Sequence, residues 1–346
     1  MTTVFPSDQR AAARTTDPLL EVDGLTMRYE TLHGDVQAIT DVSFTLGRSE
    51  SLGLVGESGC GKSSVALALL RLMPSNARVD SGEIRLEGTD LLSLPESDMR
   101  RRRWNDIAMV FQGAMNAWNP VYTVFHQIDE ALRTHRGSMT RTEARRRVGE
   151  LFELVGLQPD MMDRYPHEYS GGMRQRAVIA MALSCDPKVI IADEPTTALD
   201  VIVQDRILKQ LKRIQSELGM SIIYISHDIA VIAEVADRLG VMYAGQMVEI
   251  GDAGRVFGHP RHPYSWSLLT STPSIRGPMR TLAPLVGEPP DLHAPPSGCR
   301  FHPRCPMATA HCEEHEPALE RIEADQHAAC WYSDEVPDPT EKETLA

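Results

Sequence analysis

The chain has 346 residues, 42% of them hydrophobic and 5% aromatic, which suits one large domain or one with a smaller appendage. A formal net charge of −13 argues against nucleic acid or anionic lipid as the main partner, since both demand a basic face. No stretch reaches the roughly 18–20 apolar residues of a membrane span. Residues 1–18 lack the apolar core of a secretory signal and read as a disordered tail, so a cytosolic location is expected.

Along the chain, short β-rich runs are each followed by a loop and a helical pattern, which predicts an α/β domain with a mostly parallel sheet covered on both sides. The first run, residues 52–55, leads into Gly56-Glu57-Ser58-Gly59-Cys60-Gly61-Lys62-Ser63, a GxxxxGK[ST] stretch between a strand and a helix. Its glycines let successive N–H groups face one anion, and the helix N-terminus adds its dipole. Lys62 would bring a charge to the β- and γ-phosphates, and the Ser63 hydroxyl would ligate magnesium. A chance glycine-rich turn shares the composition but not the flanking strand and helix. The only dense basic run, residues 100–103, reads as a solvated helix end.

Residues 107–111 form the second run, and 118–183 read as helical throughout, a subdomain inserted into the sheet domain. Thr140 and Glu143 make a capping box, while Ala144, Val148, Leu151, Phe152 and Val155 form one apolar stripe. The third run, 189–192, ends in Asp193 and Glu194. Asp193 is placed to hold magnesium through water, and Glu194 to polarise an attacking water. A helix over 203–218 puts Ile207, Leu211, Ile214 and Leu218 on one face and stops at Gly219. The fourth run is 221–226. No Asn-Lys-x-Asp guanine reader is present, so a GTPase falls back. Beyond Gly251 the texture turns to Pro, His and Cys, marking a boundary near 255–260.

At YSGGMRQR, residues 169–176, the sequence resembles the ATP-binding cassette (ABC) ATPases. Ser170-Gly171-Gly172-x-Arg174-Gln175 is similar to their signature, in order with the phosphate loop, Gln112, Asp193-Glu194, the turn Ala198-Leu199-Asp200 and His227. The resemblance covers roughly residues 20–330. It implies a P-loop ABC-type α/β fold with an inserted helical subdomain near 114–184. Residues 56–63 and Ser64 would bind ATP, and Tyr29 would stack on adenine. Gln112 would sense magnesium and water, His227 would contact the γ-phosphate, and Asp200 would sit at a dimer seam. Two cassettes would pair head to tail, with Ser170, Gly171, Gly172 and Gln175 of one closing over ATP held by Lys62 of the other. A second helix N-terminus arriving only on closure makes hydrolysis conditional on assembly.

FQGAMNAWNP, YPHEYSGGMRQRAVIAMAL and ADEPTTALDVIVQ are similar to the oligopeptide and dipeptide importer branch, and Met173 to its D-type subunit. Gly113-Ala114 and Ala117-Trp118 depart from the branch's Asp-Pro and Ser-Leu, beside the surface that meets the permease. HPYSWSLL, GEPPDL and GCRFHPRCPMATAHC resemble the C-terminal extension of these importers, and Cys299, Cys305, Cys312 and Cys330 are separated by five, six and seventeen residues. Those spacings are not the paired CxxC of a zinc ribbon, and four thiolates suit zinc or a cubane cluster. By resemblance a structural 4Fe-4S cluster is favoured, with zinc the alternative and His302, His311 and His315 read as surface residues. Cys60 and Cys185 read as small packing residues.

The expected layout is a tail over 1–18, an ATPase domain over 19–255, the four-Cys extension over 256–335 and a flexible tail over 336–346. The expected partners are an F-type second ATPase, two membrane permease subunits and, indirectly, an extracytoplasmic peptide-binding protein, at the cytoplasmic face of the cell membrane. Related importers for nickel, glutathione or oligosaccharides are the alternative. A soluble ABC ATPase of translation or DNA repair is disfavoured, because the chain has one cassette and no sustained heptads.

Overall fold

A computed structural model describes residues 17–113, 117–137, 139–197, 199–271, 285 and 287–339, except the side chain at 230. Two sheets organise them. The smaller is antiparallel, in the order β2 (Gly34–Leu46), β1 (Leu20–Thr31), β4 (Ala77–Leu86), β5 (Thr89–Asp90). Sequence reading misses it for a physical reason. Leu20, Val22, Leu25 and Met27 all point inward, but register shifts between Val22 and Leu25 and beyond break the two-residue alternation.

The larger sheet runs β11 (Glu320–Glu323), β12 (Gln326–Ala328), β10 (Gln246–Asp252), β9 (Arg238–Tyr243), β3 (Ser51–Val55), β8 (Ser221–Ser226), β7 (Val189–Asp193), β6 (Ile107–Val110). From β9 to β6 the strands are parallel and almost entirely buried, as their Val/Ile/Leu runs require. Phe111, expected to end a strand, lies outside β6 and is exposed. The sheet is not parallel throughout, because β10, β12 and β11 continue it antiparallel.

The 118–183 region is three helices rather than one continuous run: α3 (Val124–Arg136), α4 (Arg141–Leu154) and α5 (Gly171–Ala182). Pro159 and Pro166 open short 3-10 turns between α4 and α5, where a helix interior would lose their N–H groups. The Thr140–Glu143 capping box forms, and the whole α4 stripe is buried. Helix α6 (Val201–Leu218) starts two residues earlier than its apolar pattern, because Asp200 caps it by accepting from Val203 N at 3.0 Å. Leu218 belongs to the stripe but lies in the last turn, where solvent reaches it.

Helices α1 (Lys62–Leu70) and α2 (Glu96–Arg102) meet through the basic run. Arg103 is not solvated: its Nε donates to Leu70 O at 2.7 Å and its Nη2 to Arg71 O at 2.9 Å, closing the C-terminus of α1. The C-terminal region is also more regular than its composition suggests. After α7 (Ile229–Ala233), α8 (Ala253–Gly258) and α9 (Pro263–Ser271), a short α10 (Ala310–Glu314) precedes β11. Val336, assigned to a flexible tail, is buried, while residues 340–346 and most of the N-terminal tail lie outside the described residues.

Glu249, fully buried in β10, ties these parts together. It accepts from Arg261 N (2.8 Å), His262 N (3.0 Å) and Gln326 Nε2 (2.7 Å). Burial outweighs these donors and pushes its carboxyl up from the ordinary 4.5 to about 7. Between those two values the folded chain holds a proton that the unfolded chain releases, so this group's contribution to stability falls as pH rises through the window. The thermal midpoint is expected to drop over that pH range in the native chain. In Glu249→Gln, which cannot titrate, that part of the slope should vanish; an unchanged slope would refute the assignment.

Candidate functional site

The phosphate loop joins β3 to α1. Gly56 and Gly61 have φ of 150° and 102°, and a Cβ at Gly61 would stand 2.4 Å from Ala38 O, so glycine is required there. No side chain caps α1, whose first N–H groups therefore stay open to an anion. Lys62 is buried, its Nζ donating to Gly56 O at 2.7 Å and Glu57 O at 2.8 Å, with Cys60 Sγ at 3.5 Å. Cys60 and Cys185 are buried packing residues, and burial raises both thiols. The Tyr29 hydroxyl lies 3.0 Å from Ser64 Oγ, which places that ring across the start of α1.

Asp193 ends the buried strand β7. Burial raises its carboxyl, while a hydrogen bond from exposed Ser63 opposes the rise, and its Oδ1 is buried without a partner. An orphaned carboxylate oxygen beside a solvent-exposed hydroxyl is what a hard cation would complete, so the residues fit magnesium.

Glu194 follows in the left-handed region, at φ 44°, a strained conformation for a side-chain-bearing residue. Its Oε2 accepts from Gln112 Nε2 at 2.7 Å and Thr197 Oγ1 at 2.8 Å, and its Oε1 lies 2.9 Å from His227 Nδ1. Burial tends to raise this carboxyl, but the bonds from His227, Thr197 and Gln112 prevail and hold it below its usual value. An ionised carboxylate aimed by three neighbours can take a proton from water. Thr197 was not anticipated, although it lies three residues beyond Glu194.

Other expected site residues stand apart. Ser170 caps α5, accepting from Met173 N, and α5 packs on α3, α4, α6 and β6. A Cβ at Gly172 would come within 2.8 Å of Val203 Cγ1. Gln175, expected at the nucleotide, is buried on α5 in the single chain. Asp200 is exposed at the start of α6; Ala198 and Ala114 lie outside the described residues. Trp118 is buried in the core and so is not presented to a partner, whereas Gly113 and Ala117 are exposed.

In the extension, Cys299, Cys305, Cys312 and Cys330 line one small cavity of about 20 Å³ with His262, Phe301, His302 and Trp331. Burial first, and the charges of the other thiols second, push Cys305 and Cys330 up to about 12. Among the described residues no three His, Cys, Asp or Glu side chains are gathered so as to hold a metal ion. His302 lines this cavity, and His311 and His315 are exposed.

Comparison with known proteins agrees with this geometry. Residues 39–197 match the ABC transporter family model, and 248–312 match the C-terminal region of the oligopeptide/dipeptide transporter. The chain is 45% identical over 324 residues to a dipeptide transport ATP-binding protein of Bacillus subtilis (strain 168), covering 92% of this chain and 96% of that one. The chain belongs to the ABC transporter family, in its oligopeptide/dipeptide branch. An oligopeptide transport ATP-binding protein of the same organism is 45% identical over 90% of this chain and 88% of its own. A putative peptide import ATP-binding protein of Brucella abortus (strain 2308) is 47% identical over 88% and 92%. A dimeric ATP-binding cassette solved in a post-hydrolysis state with ADP and Pi superposes with a TM-score of 0.60 and 26% identity, covering 68% of this chain and 98% of that one. The protein is thus an ATP-hydrolysing ABC ATPase with the α/β cassette fold. None of its described helices is long and apolar enough to cross a membrane.

Proposed function

We propose that this ABC ATPase powers the uptake of di- and oligopeptides through two membrane permease subunits, to which it binds peripherally at the cytoplasmic face of the cell membrane. The observation that carries this reading is the Glu194 constellation within a chain whose core and extension both match the transporter family. In it Lys62 and residues 56–64 bind the phosphates, Tyr29 flanks the base, and Ser63, Asp193 and Gln112 hold magnesium. Glu194 acts as the base, and His227 leaves it to contact the γ-phosphate. Ser170, Gly171, Gly172 and Asp200 serve the site of a second, F-type ATPase in a head-to-tail pair, and an extracytoplasmic protein delivers the peptide. The domain limits near 19, 255 and 335 belong to the same proposal.

By the same resemblance, Cys299, Cys305, Cys312 and Cys330 are proposed to hold a 4Fe-4S cluster, a reading supported by all four lining one cavity. Such a group supplies a staple to a region with little core of its own.

One preparation tests both statements: the complex solubilised from membranes under anaerobic conditions. It is expected to contain two integral-membrane subunits and a sister ATPase, to hydrolyse ATP faster with peptide-loaded binding protein, and to carry about four irons per copy of this chain. Co-purification with ribosomes or DNA ends in place of membrane subunits would overturn the transport reading. A colourless, zinc-loaded preparation would overturn the cluster.

A further inference from the structure

Of the two arginines in the arc between Cys299 and Cys305, Arg304 reaches the phosphate loop itself and Arg300 the turn beside it. Arg304 is nearly buried and forms a bidentate pair with Glu57, Nη1 to Oε2 at 2.7 Å and Nη2 to Oε1 at 3.1 Å. The same guanidinium lies over the Tyr243 ring and donates to its hydroxyl at 3.3 Å. The Tyr264 hydroxyl accepts from Glu57 N at 2.8 Å. Arg300 donates to Ala244 O at 2.5 Å, and the adjoining Gly245 N donates to Cys60 O at 3.1 Å. Tyr243, Tyr264 and Phe301 fill the space between, with ring centroids 4.6–5.4 Å apart. The loop is thus gripped at Glu57 by an arginine 247 residues away, and at Cys60 by the turn at Gly245 that Arg300 braces.

Glu57 is also the residue whose carbonyl receives Lys62 Nζ, so whatever fixes Glu57 helps to fix the phosphate-binding cation. Its side chain poses an electrostatic problem. A carboxylate on a loop meant for a triphosphate repels its ligand, and at close range in a partly buried site that repulsion is weakly screened. Arg304 pairs with the carboxylate and neutralises it.

We propose that Arg304 is a positioning residue for nucleotide binding: by pairing with Glu57 it shapes the phosphate loop and cancels a negative charge that would otherwise oppose ATP. The proposal rests on the loop being the ATP site, as argued above. Its test uses the assembled complex and measures ATP affinity alongside KM and kcat. Arg304→Gln is expected to weaken ATP binding about tenfold, with kcat changed less than about twofold. Arg304→Lys, which keeps the charge but not the fork, should recover part of the loss. Adding Glu57→Gln to Arg304→Gln should restore affinity to within about threefold of the native complex, because the uncompensated charge is gone.

A merely structural tie would not be rescued by removing its second partner. Native-like affinity in Arg304→Gln, or no recovery in the double variant, would overturn the proposal while leaving the ATP site standing. If the native complex failed to bind ATP, the underlying reading would fall instead.

Discussion

Glu194→Gln is expected to abolish steady-state ATP turnover while leaving ATP affinity within about twofold of native. The substitution keeps the shape of the side chain and its place at the end of β7 but removes its capacity to accept a proton. The native carboxylate is held below its usual value by His227, Thr197 and Gln112, so it is ionised throughout the neutral range. General-base groups contribute about 10²–10⁴-fold, and a loss in kcat of that size is the expected result. None of the contacts of Glu194 involves residues 56–64, which is why binding should survive. With ATP bound and uncleaved, the variant should persist as an ATP-dependent pair of cassettes, visible by light scattering. A kcat within tenfold of native would remove Glu194 from the base role.

Lys62→Ala is expected to fail one step earlier. Lys62 Nζ is the only side-chain cation hydrogen-bonded to the carbonyls of the described phosphate loop, where Gly56 and Glu57 aim it inward. Truncating one partner of a desolvated charge pair costs about 2–5 kcal/mol, at least a thirtyfold loss of ATP affinity. Turnover would fall with it, but only because nucleotide is absent, so very high ATP should restore part of the rate, which it cannot do in Glu194→Gln. Unaltered affinity in Lys62→Ala, measured by calorimetry, would refute its role. The two variants separate grip from cleavage.

What could be read from the sequence was chemistry confined to short contiguous stretches. Gly56–Ser63, Asp193-Glu194, the Thr140 cap and the α4 stripe all carry their reason within a dozen residues, and each lies where its local pattern put it. Elements whose reason lies elsewhere were not legible. The bulges of β1 hide its alternation, and β11, with Glu320, Arg321 and Glu323 in four residues, has no apolar pattern because it is a charged sheet edge. Helix α5 buries Gln175 along with Ala177, Val178, Ile179 and Ala180, a nearly all-round apolar surface from which no outward face can be deduced. Arg304 gave no signal at all, because its partner is 247 residues upstream.

That separation bears on how the chain comes off the ribosome. At about 5–20 residues per second, Glu57 emerges some 12–50 seconds before the arginine that restrains it is even made. If Arg304 positions the loop as proposed, a nascent cassette reaches its full affinity for ATP only near the end of translation, after the loop itself has long been made.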